Sequence, residues 1–285
     1  MTLIEEILQA KKEGWAIGHF NISDSTQFNA IMRAAERADV PVVVGVSEGE
    51  GEFLGLHNAV ALVQSARKAG RRVYLNADHS YSVSRAKSAI DAGFDSVIID
   101  GAKATFEENA RMAKEVVAYR DASGKDVLVE GELGYIGTSS KVLDALPEGV
   151  AITEESMTKP EELKHFIDET GIDLIAPAVG NVHGIISTGE PRLSIARVGE
   201  LSAISSVPMV LHGGSGTMDE DFKEAIKAGI AMVHINTEIR VAYRKGIEEA
   251  FTSDPKEVAP YRFLAGGEKA VEEAVYQRLM LFRHL

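Results

Sequence analysis

Residues 66–80 read ARKAGRRVYLNADHS. Ala66–Ala69 closes a helical pattern, and Gly70 can take the left-handed conformation that ends a helix. An apolar run, Val73–Ala77, follows at once and reads as a short buried strand. The same helix–glycine–strand unit returns in AIDAGFDSVIID (89–100), IDETGIDLIAPA (167–178) and AIKAGIAMVHIN (225–236), with Gly93, Gly171 and Gly229 in the place of Gly70. Further strands are expected at Ala16–Asn21, Val42–Ser47, Val127–Glu132 and Val207–His212. Helical patterns follow the strands at Thr26–Ala38, Leu56–Ala69, Val83–Asp91, Phe106–Tyr119, Pro160–Thr170, Leu193–Ser205, Glu220–Ala228 and Glu238–Phe251.

Eight such units in roughly 250 residues predict an α/β fold, a closed (β/α)8 TIM barrel. Thr2–Glu13 is expected to cap its bottom, and Glu268–Phe282 to form an amphipathic C-terminal helix. The expectation is a single domain over 1–285, with a barrel core at about 16–253 and a helical extension at about 254–285. No strand runs into G-x-G-x-x-G and a helix, so nothing supports a dinucleotide site. One connection is long: Leu133–Lys159 rises from the end of the fifth strand, and long loops in compact barrels are usually functional or mobile.

Composition narrows the function. The net charge of −13 comes without a basic patch, which argues against a nucleic-acid partner. It does not exclude an anionic substrate, because backbone N–H groups bind phosphate without lysine. The absence of cysteine removes thiolate metal sites and cysteine nucleophiles, so any metal must be held by His and carboxylates. No long apolar run suggests a membrane span or a signal peptide, and a cytoplasmic protein is expected.

In this architecture the chemistry sits at the C-terminal ends of the strands. Those ends carry Asn21, Ser47, Asp78 with His79, Asp100, Glu130 with Glu132, Gly180 and His183, His212, and His234 with Asn236. A single strand-end His or Asp is often only a cap. Three histidines that converge on one mouth point instead to a catalytic divalent metal, with His79, His183 and His212 as ligands. His57 and His165 fall in helices, His284 in the tail, and His19 inside the first strand, where a satisfied core histidine is the plain reading. Glu132 and Asp100 offer oxygen ligands or partners behind the ligands. Neighbouring residues of a regular strand face opposite ways. The pleat is therefore expected to end at Ala77, so that Asp78 and His79 reach the same mouth.

LHGGSG (211–216) lets backbone N–H groups approach a ligand closely, Ser215 adds a hydroxyl, and Asn236-Thr237 opens the next helix. Phosphate sites after the seventh and eighth strands are frequent in such barrels. A metal that polarises a carbonyl, a phosphate seat and a carboxylate at Asp78 suit aldol or retro-aldol chemistry, or an isomerisation. A Schiff-base route needs a buried lysine, and none of the strand ends supplies one.

FNISD, VSEG, NADHS, GFDSVIIDGA, VEGELGYIG, AVGNVHG, LHGGSG and HINTE, in this order, resemble the class II, metal-dependent fructose- and tagatose-bisphosphate aldolase family from about Ile17 to Arg240. The resemblance implies Asp78 as the acid/base residue and His79, His183 and His212 as zinc ligands, with Glu132 and Asp100 around an alternative metal position. It implies Asn21, Ser47, Gly180, Gly213, Ser215 and Thr237 as substrate contacts, mainly through phosphate. It also implies Zn2+ or another divalent metal, a monovalent cation, a homodimer or homotetramer, and a small phosphorylated sugar as substrate. Fructose 1,6-bisphosphate is the first expectation. Tagatose 1,6-bisphosphate, another sugar phosphate, or a role as a non-catalytic aldolase-like subunit are the alternatives.

Three features depart from the pattern. His234 stands where the family has an asparagine that contacts the substrate. In the loop after the fifth strand, GTSSK places Ser139 and Ser140 where acids are expected, with Glu148, Glu154, Glu155 or Tyr135 left as proton carriers. That loop is also long.

Overall fold

A computed structural model describes residues 1–138, 140–150, 152–187 and 192–283. Ser139 and His284 lie outside the described residues. The eight expected strands form a closed parallel barrel in the order β1-β10-β9-β7-β5-β4-β3-β2. They are β1 (Ile17–Asn21), β2 (Val42–Val46), β3 (Val73–Ser80), β4 (Ser96–Ile99), β5 (Leu128–Leu133), β7 (Leu174–Pro177), β9 (Met209–Leu211) and β10 (Ile230–Ile235). Two short strands, β6 (Val142–Leu143) and β8 (Ile185–Ile186), pair outside the barrel and tie the long loop to the segment after β7.

The helices form the outer ring: α2 (Ser25–Ala38), α4 (Leu56–Lys68), α5 (Val83–Ala92), α6 (Phe106–Ser123), α7 (Pro160–Thr170), α8 (Ile195–Ile204), α9 (Asp219–Ala228) and α10 (Thr237–Ser253). At the bottom lies α1 (Leu3–Glu13). Its Leu3, Ile7 and Ala10 close a core layer with Ile17, Val43, Tyr74, Leu128, Leu174 and Val210. Among the described residues, no helix is long and apolar enough to cross a membrane.

Two elements differ from expectation. A helix, α3 (Glu48–Leu54), follows β2 directly. Its glycines disguise it, but Ser47 and Glu50 form a reciprocal capping box at its start, a pairing that the sequence does signal. The terminal helix, α11, runs Pro260–Arg283 and so starts eight residues before Glu268. Gly266 and Gly267 look like helix breakers, yet they are the point of contact with α10. A Cβ on Gly246 would stand 2.5 Å from the Gly266 carbonyl oxygen, so only glycine lets the two helices cross this closely. On its other face α11 buries Val271, Val275, Leu279 and Phe282.

The end of β3 also needs correction. The strand does not stop at Ala77 but runs to Ser80. Pairing with β4 passes from Ala77↔Val97 to Ser80↔Ile99, so β3 carries one residue more than its partner, and His79 has φ 51. This β-bulge breaks the alternation. Asp78 and His79 thus share the mouth because of a bulge inside the strand, not because the strand has ended.

Candidate active site

The site gathers at the C-terminal ends of the strands. His79, delivered by the bulge, turns Nδ1 to Asp100 Oδ2 at 2.9 Å and to Glu132 Oε2 at 3.4 Å. His212, just past β9, is fully buried between two acids of β5: Nε2 is 2.6 Å from Glu130 Oε1 and Nδ1 is 3.1 Å from Glu132 Oε2. His183 comes from the segment after β7, where its backbone N–H donates to Ile136 O of the long loop. Ligand atoms of His79, His183, His212 and Glu132 all lie within 4.8 Å of one another. His183 Nε2 is buried and has no hydrogen-bond partner among the described residues.

This donor set fits a divalent metal. Metal–nitrogen bonds of about 2.0–2.1 Å place tetrahedral ligands ~3.4 Å apart, a spacing this cluster can meet with small side-chain shifts. Burial, reinforced by the charges of His79 and His212, holds the His183 imidazole well below its usual pKa, so its lone pair is free. Burial also pulls on His79, but Asp78, Asp100 and Glu132 override it and hold that ring at about 9. His212 is raised in the same way by Glu130 and Glu132. Without a metal, protons balance the acids, and a cation would take over that role. Asp100 stands behind His79 and Glu130 behind His212, the arrangement that orients imidazole ligands. Sequence reading placed Glu130 at a strand end without giving it this task.

Asp78 lies beside the cluster, 6% exposed. Its Oδ2 accepts from Asn21 Nδ2 at 2.7 Å, and its Oδ1 is 3.7 Å from His79 Nε2. Burial would raise its pKa, but His79 and His234 bring it well below the usual carboxylate value, so Asp78 is ionised. His234 Nδ1 stands 3.5 Å from Asp78 Oδ1, and His234 Nε2 has no hydrogen-bond partner among the described residues.

His19 is more than a core histidine. It pairs in register with His234 across β1 and β10, and their rings stack at 3.6 Å with a 7° interplanar angle. His19 Nε2 lies 3.1 Å from Asn76 Nδ2, and His234 also stacks on His212 at 4.3 Å. Burial drives both rings down, His19 to about 4 and His234 well below its usual value, so both are neutral. Atoms of His19, Asp78 and His234 are close enough to suggest a second metal seat. The ring planes exclude it, since an imidazole binds a metal in its own plane and two parallel stacked rings cannot aim at one ion. The sequence signal for this pair was its matched position on neighbouring strands.

Asn21, Asp78, His79, Ser140, His183, Gly213, Ser215, His234, Asn236 and Thr237 line one pocket. An adjoining cleft of ≈ 200 Å³ is lined by Gly180, Gly213, Ser215 and Thr217, among others. Two of its glycines are obligatory. A Cβ on Gly180 would stand 2.5 Å from Arg192 O, and one on Gly213, at φ 62, would stand 2.5 Å from Val182 O. Ser215 Oγ accepts from the N–H groups of Asn236 and Glu238 at the start of α10, which leaves its own O–H to donate. Ser47 differs from the other expected contacts: its N–H and O–H both donate to Glu50 Oε2 at 2.8 Å. In the long loop, Glu154 is held by Ser194 and Arg197, and Tyr135 lies under the ammonium of Lys103.

Comparison with known proteins points to one family. Residues 2–284 match the family described as Fructose-bisphosphate aldolase class-II. The chain is 34% identical to a fructose-bisphosphate aldolase of Staphylococcus epidermidis, over 99% of this chain and 96% of that one. It is 35% identical to a fructose-bisphosphate aldolase of Geobacillus stearothermophilus, with the same coverage. Among solved structures, the YdjI aldolase of Escherichia coli K12 superposes with a TM-score of 0.82 at 30% identity, over 98% of this chain and 96% of that chain. A putative fructose-1,6-biphosphate aldolase of Coccidioides immitis gives 0.84 at 26% identity, over 98% and 95%.

Proposed function

The chain belongs to the class II fructose-bisphosphate aldolase family, a family of lyases, and from that premise we propose that it is a zinc-dependent aldolase that releases dihydroxyacetone phosphate from a ketose phosphate. The observation that carries the reading is the cluster of His79, His183, His212 and Glu132 with an ionised Asp78 beside it.

When bound by His79, His183 and His212, with Glu132 as a further oxygen donor, a divalent ion supplies a Lewis acid for the substrate carbonyl. Asp100 and Glu130 hold two of those imidazoles in place. The Gly180, Gly213, Ser215 and Thr237 seat anchors the phosphate at C1 through backbone N–H groups, a hydroxyl and a helix N-terminus. In the cleavage direction the ionised Asp78 takes the proton of the C4 hydroxyl, the C3–C4 bond breaks, and C4 leaves as an aldehyde. The electron pair stays with C3, and Asp78, now protonated, returns that proton to C3. In the reverse direction Asp78 removes it. Asn21 fixes one oxygen of Asp78, and His234 offers its unpartnered Nε2 to a substrate hydroxyl, the task of an amide elsewhere in the family. Asp100 and Glu132 are the residues that would hold the ion in the alternative position that the resemblance implies.

Fructose 1,6-bisphosphate is the first substrate that the family suggests, followed by tagatose 1,6-bisphosphate and other sugar phosphates. Homodimer or homotetramer assembly and monovalent-cation activation belong to the same proposal. A purely non-catalytic subunit has less support, because neither a ligand nor Asp78 is missing. The zinc-loaded protein should release dihydroxyacetone phosphate from at least one fructose or tagatose phosphate, and EDTA should stop it. No chelator-sensitive release from any 1-phosphate or 1,6-bisphosphate of the two sugars would sink the proposal.

A further inference from the structure

A bisphosphate needs two anion seats. One is the glycine-rich cleft beside β9 and β10. Of the substrate contacts that the resemblance implies, Asn21 and Ser47 lie outside that cleft, at the ends of β1 and β2. In the structure those donors already hold an anion. Glu50 Oε2 accepts from Asn21 Nδ2, from the Ser47 N–H and from the Ser47 O–H, each at 2.8 Å. The other oxygen of Glu50 pairs with the guanidinium of Arg240, from the first turn of α10. Glu50 is only 5% exposed.

A capping box alone would explain the Ser47 contacts. It does not explain Asn21 or Arg240, which reach the same carboxylate from two other elements. Asn21 Nδ2 also donates to Asp78 Oδ2, so the Glu50 carboxylate is one amide away from the acid/base residue. Arg240 is committed twice, to Glu50 and to Ser140 O of the long loop at 3.4 Å. A second phosphate would have to expel a carboxylate from three donors, or sit against it, and like charges so placed oppose binding.

We propose that Glu50 is the built-in occupant of the distal anion seat, and that the substrates are ketose 1-phosphates whose far end carries hydroxyls rather than a second phosphate. The products are dihydroxyacetone phosphate and an unphosphorylated hydroxyaldehyde. The inference rests on the aldolase reading above and narrows its substrate class.

The test compares kcat/KM for fructose 1-phosphate and fructose 1,6-bisphosphate in the zinc-loaded wild type, in Glu50→Gln and in Glu50→Ala. The wild type should favour the 1-phosphate, and removal of the carboxylate charge should move the ratio toward the bisphosphate by about ten-fold or more. The ratio is taken within each protein, so partial unfolding of a variant affects both terms alike, and the wild-type preference stands even if a variant fails to fold. Deuterium exchange into dihydroxyacetone phosphate by the wild type needs no distal end and reports on the aldolase reading separately. Exchange together with a wild-type preference for the bisphosphate would overturn the Glu50 assignment alone, as would a ratio unmoved in folded Glu50 variants. No exchange would overturn the aldolase reading and this inference with it.

Discussion

His234 stands where the resemblance implies an asparagine, and the proposed chemistry asks it to do the work of that amide. It keeps an edge toward Asp78, but where an amide has a fixed donor and acceptor, an imidazole presents one nitrogen of each kind, set by its tautomer. His19 stacks on it and limits its movement. His234→Asn should therefore fold, bind zinc and keep activity within about ten-fold, with the larger change in KM, because one hydrogen bond to the substrate is worth roughly a factor of ten. Steady-state kinetics on the preferred substrate checks this. A collapse of kcat of more than about a thousand-fold with KM unchanged would make His234 a proton carrier instead. At this scale the sequence was readable where a residue type is rare and its position recurs. Asp78, His79, His183 and His212 stood at strand ends and meet in one mouth. Glu50 and Arg240 were not readable, because their roles come from a pairing between residues far apart in sequence, from α3 and α10.

Among the elements, the strands were legible because helix–glycine–strand punctuation repeats and because strands buried on both faces are continuously apolar. The misses occurred where glycine has a reason other than ending a helix. Gly49 and Gly51 lie inside α3, whose start is secured by the Ser47–Glu50 box. Gly266 and Gly267 lie inside α11, where the approach of α10 excludes side chains. A single sequence cannot separate these uses, because the reason lies in a contact with a distant element. The bulge in β3 escaped for a similar cause: its extra residue shows only against the register of β4. The pairing of β6 with β8 likewise joins two loops, and it explains how the long connection after β5 is fixed over the mouth with Ser140 at the pocket.

For the molecule as a whole, the barrel separates stability from chemistry. The end capped by α1 holds a cleft of ≈ 450 Å³ lined by Arg67, Arg71 and Arg72, but these arginines pair with Asp95, Glu36 and Glu6. The other end concentrates buried imidazoles and acids, and this ties folding to pH. Burial lowers His19 to about 4, against 6.5 for a free imidazole, with Asp78 opposing it. Between those values the unfolded chain holds a proton that the native state lacks. The His19 contribution is thus full above pH 6.5 and is lost as pH falls toward 4, by about 1.4 kcal/mol per unit. His183 and His234, also lowered by burial, act in the same direction. His79, raised to about 9, acts oppositely: it stabilises below pH 6.5, and that contribution is lost as pH rises toward 9. Urea unfolding of the metal-free protein between pH 6.5 and 5 should therefore be flatter for His19→Gln than for wild type. Equal slopes would mean that His19 takes up a proton in the native state. On the proposed reading, a metal held by the histidine cluster polarises the substrate carbonyl while Asp78 carries the proton of the adjacent carbon. That reading is tested most directly by following deuterium exchange at C3 of dihydroxyacetone phosphate by NMR. The account predicts exchange by the zinc-loaded wild type, loss of exchange with EDTA, and loss in Asp78→Ala that still binds zinc. Exchange that persists in Asp78→Ala, or in the metal-free protein, would contradict it.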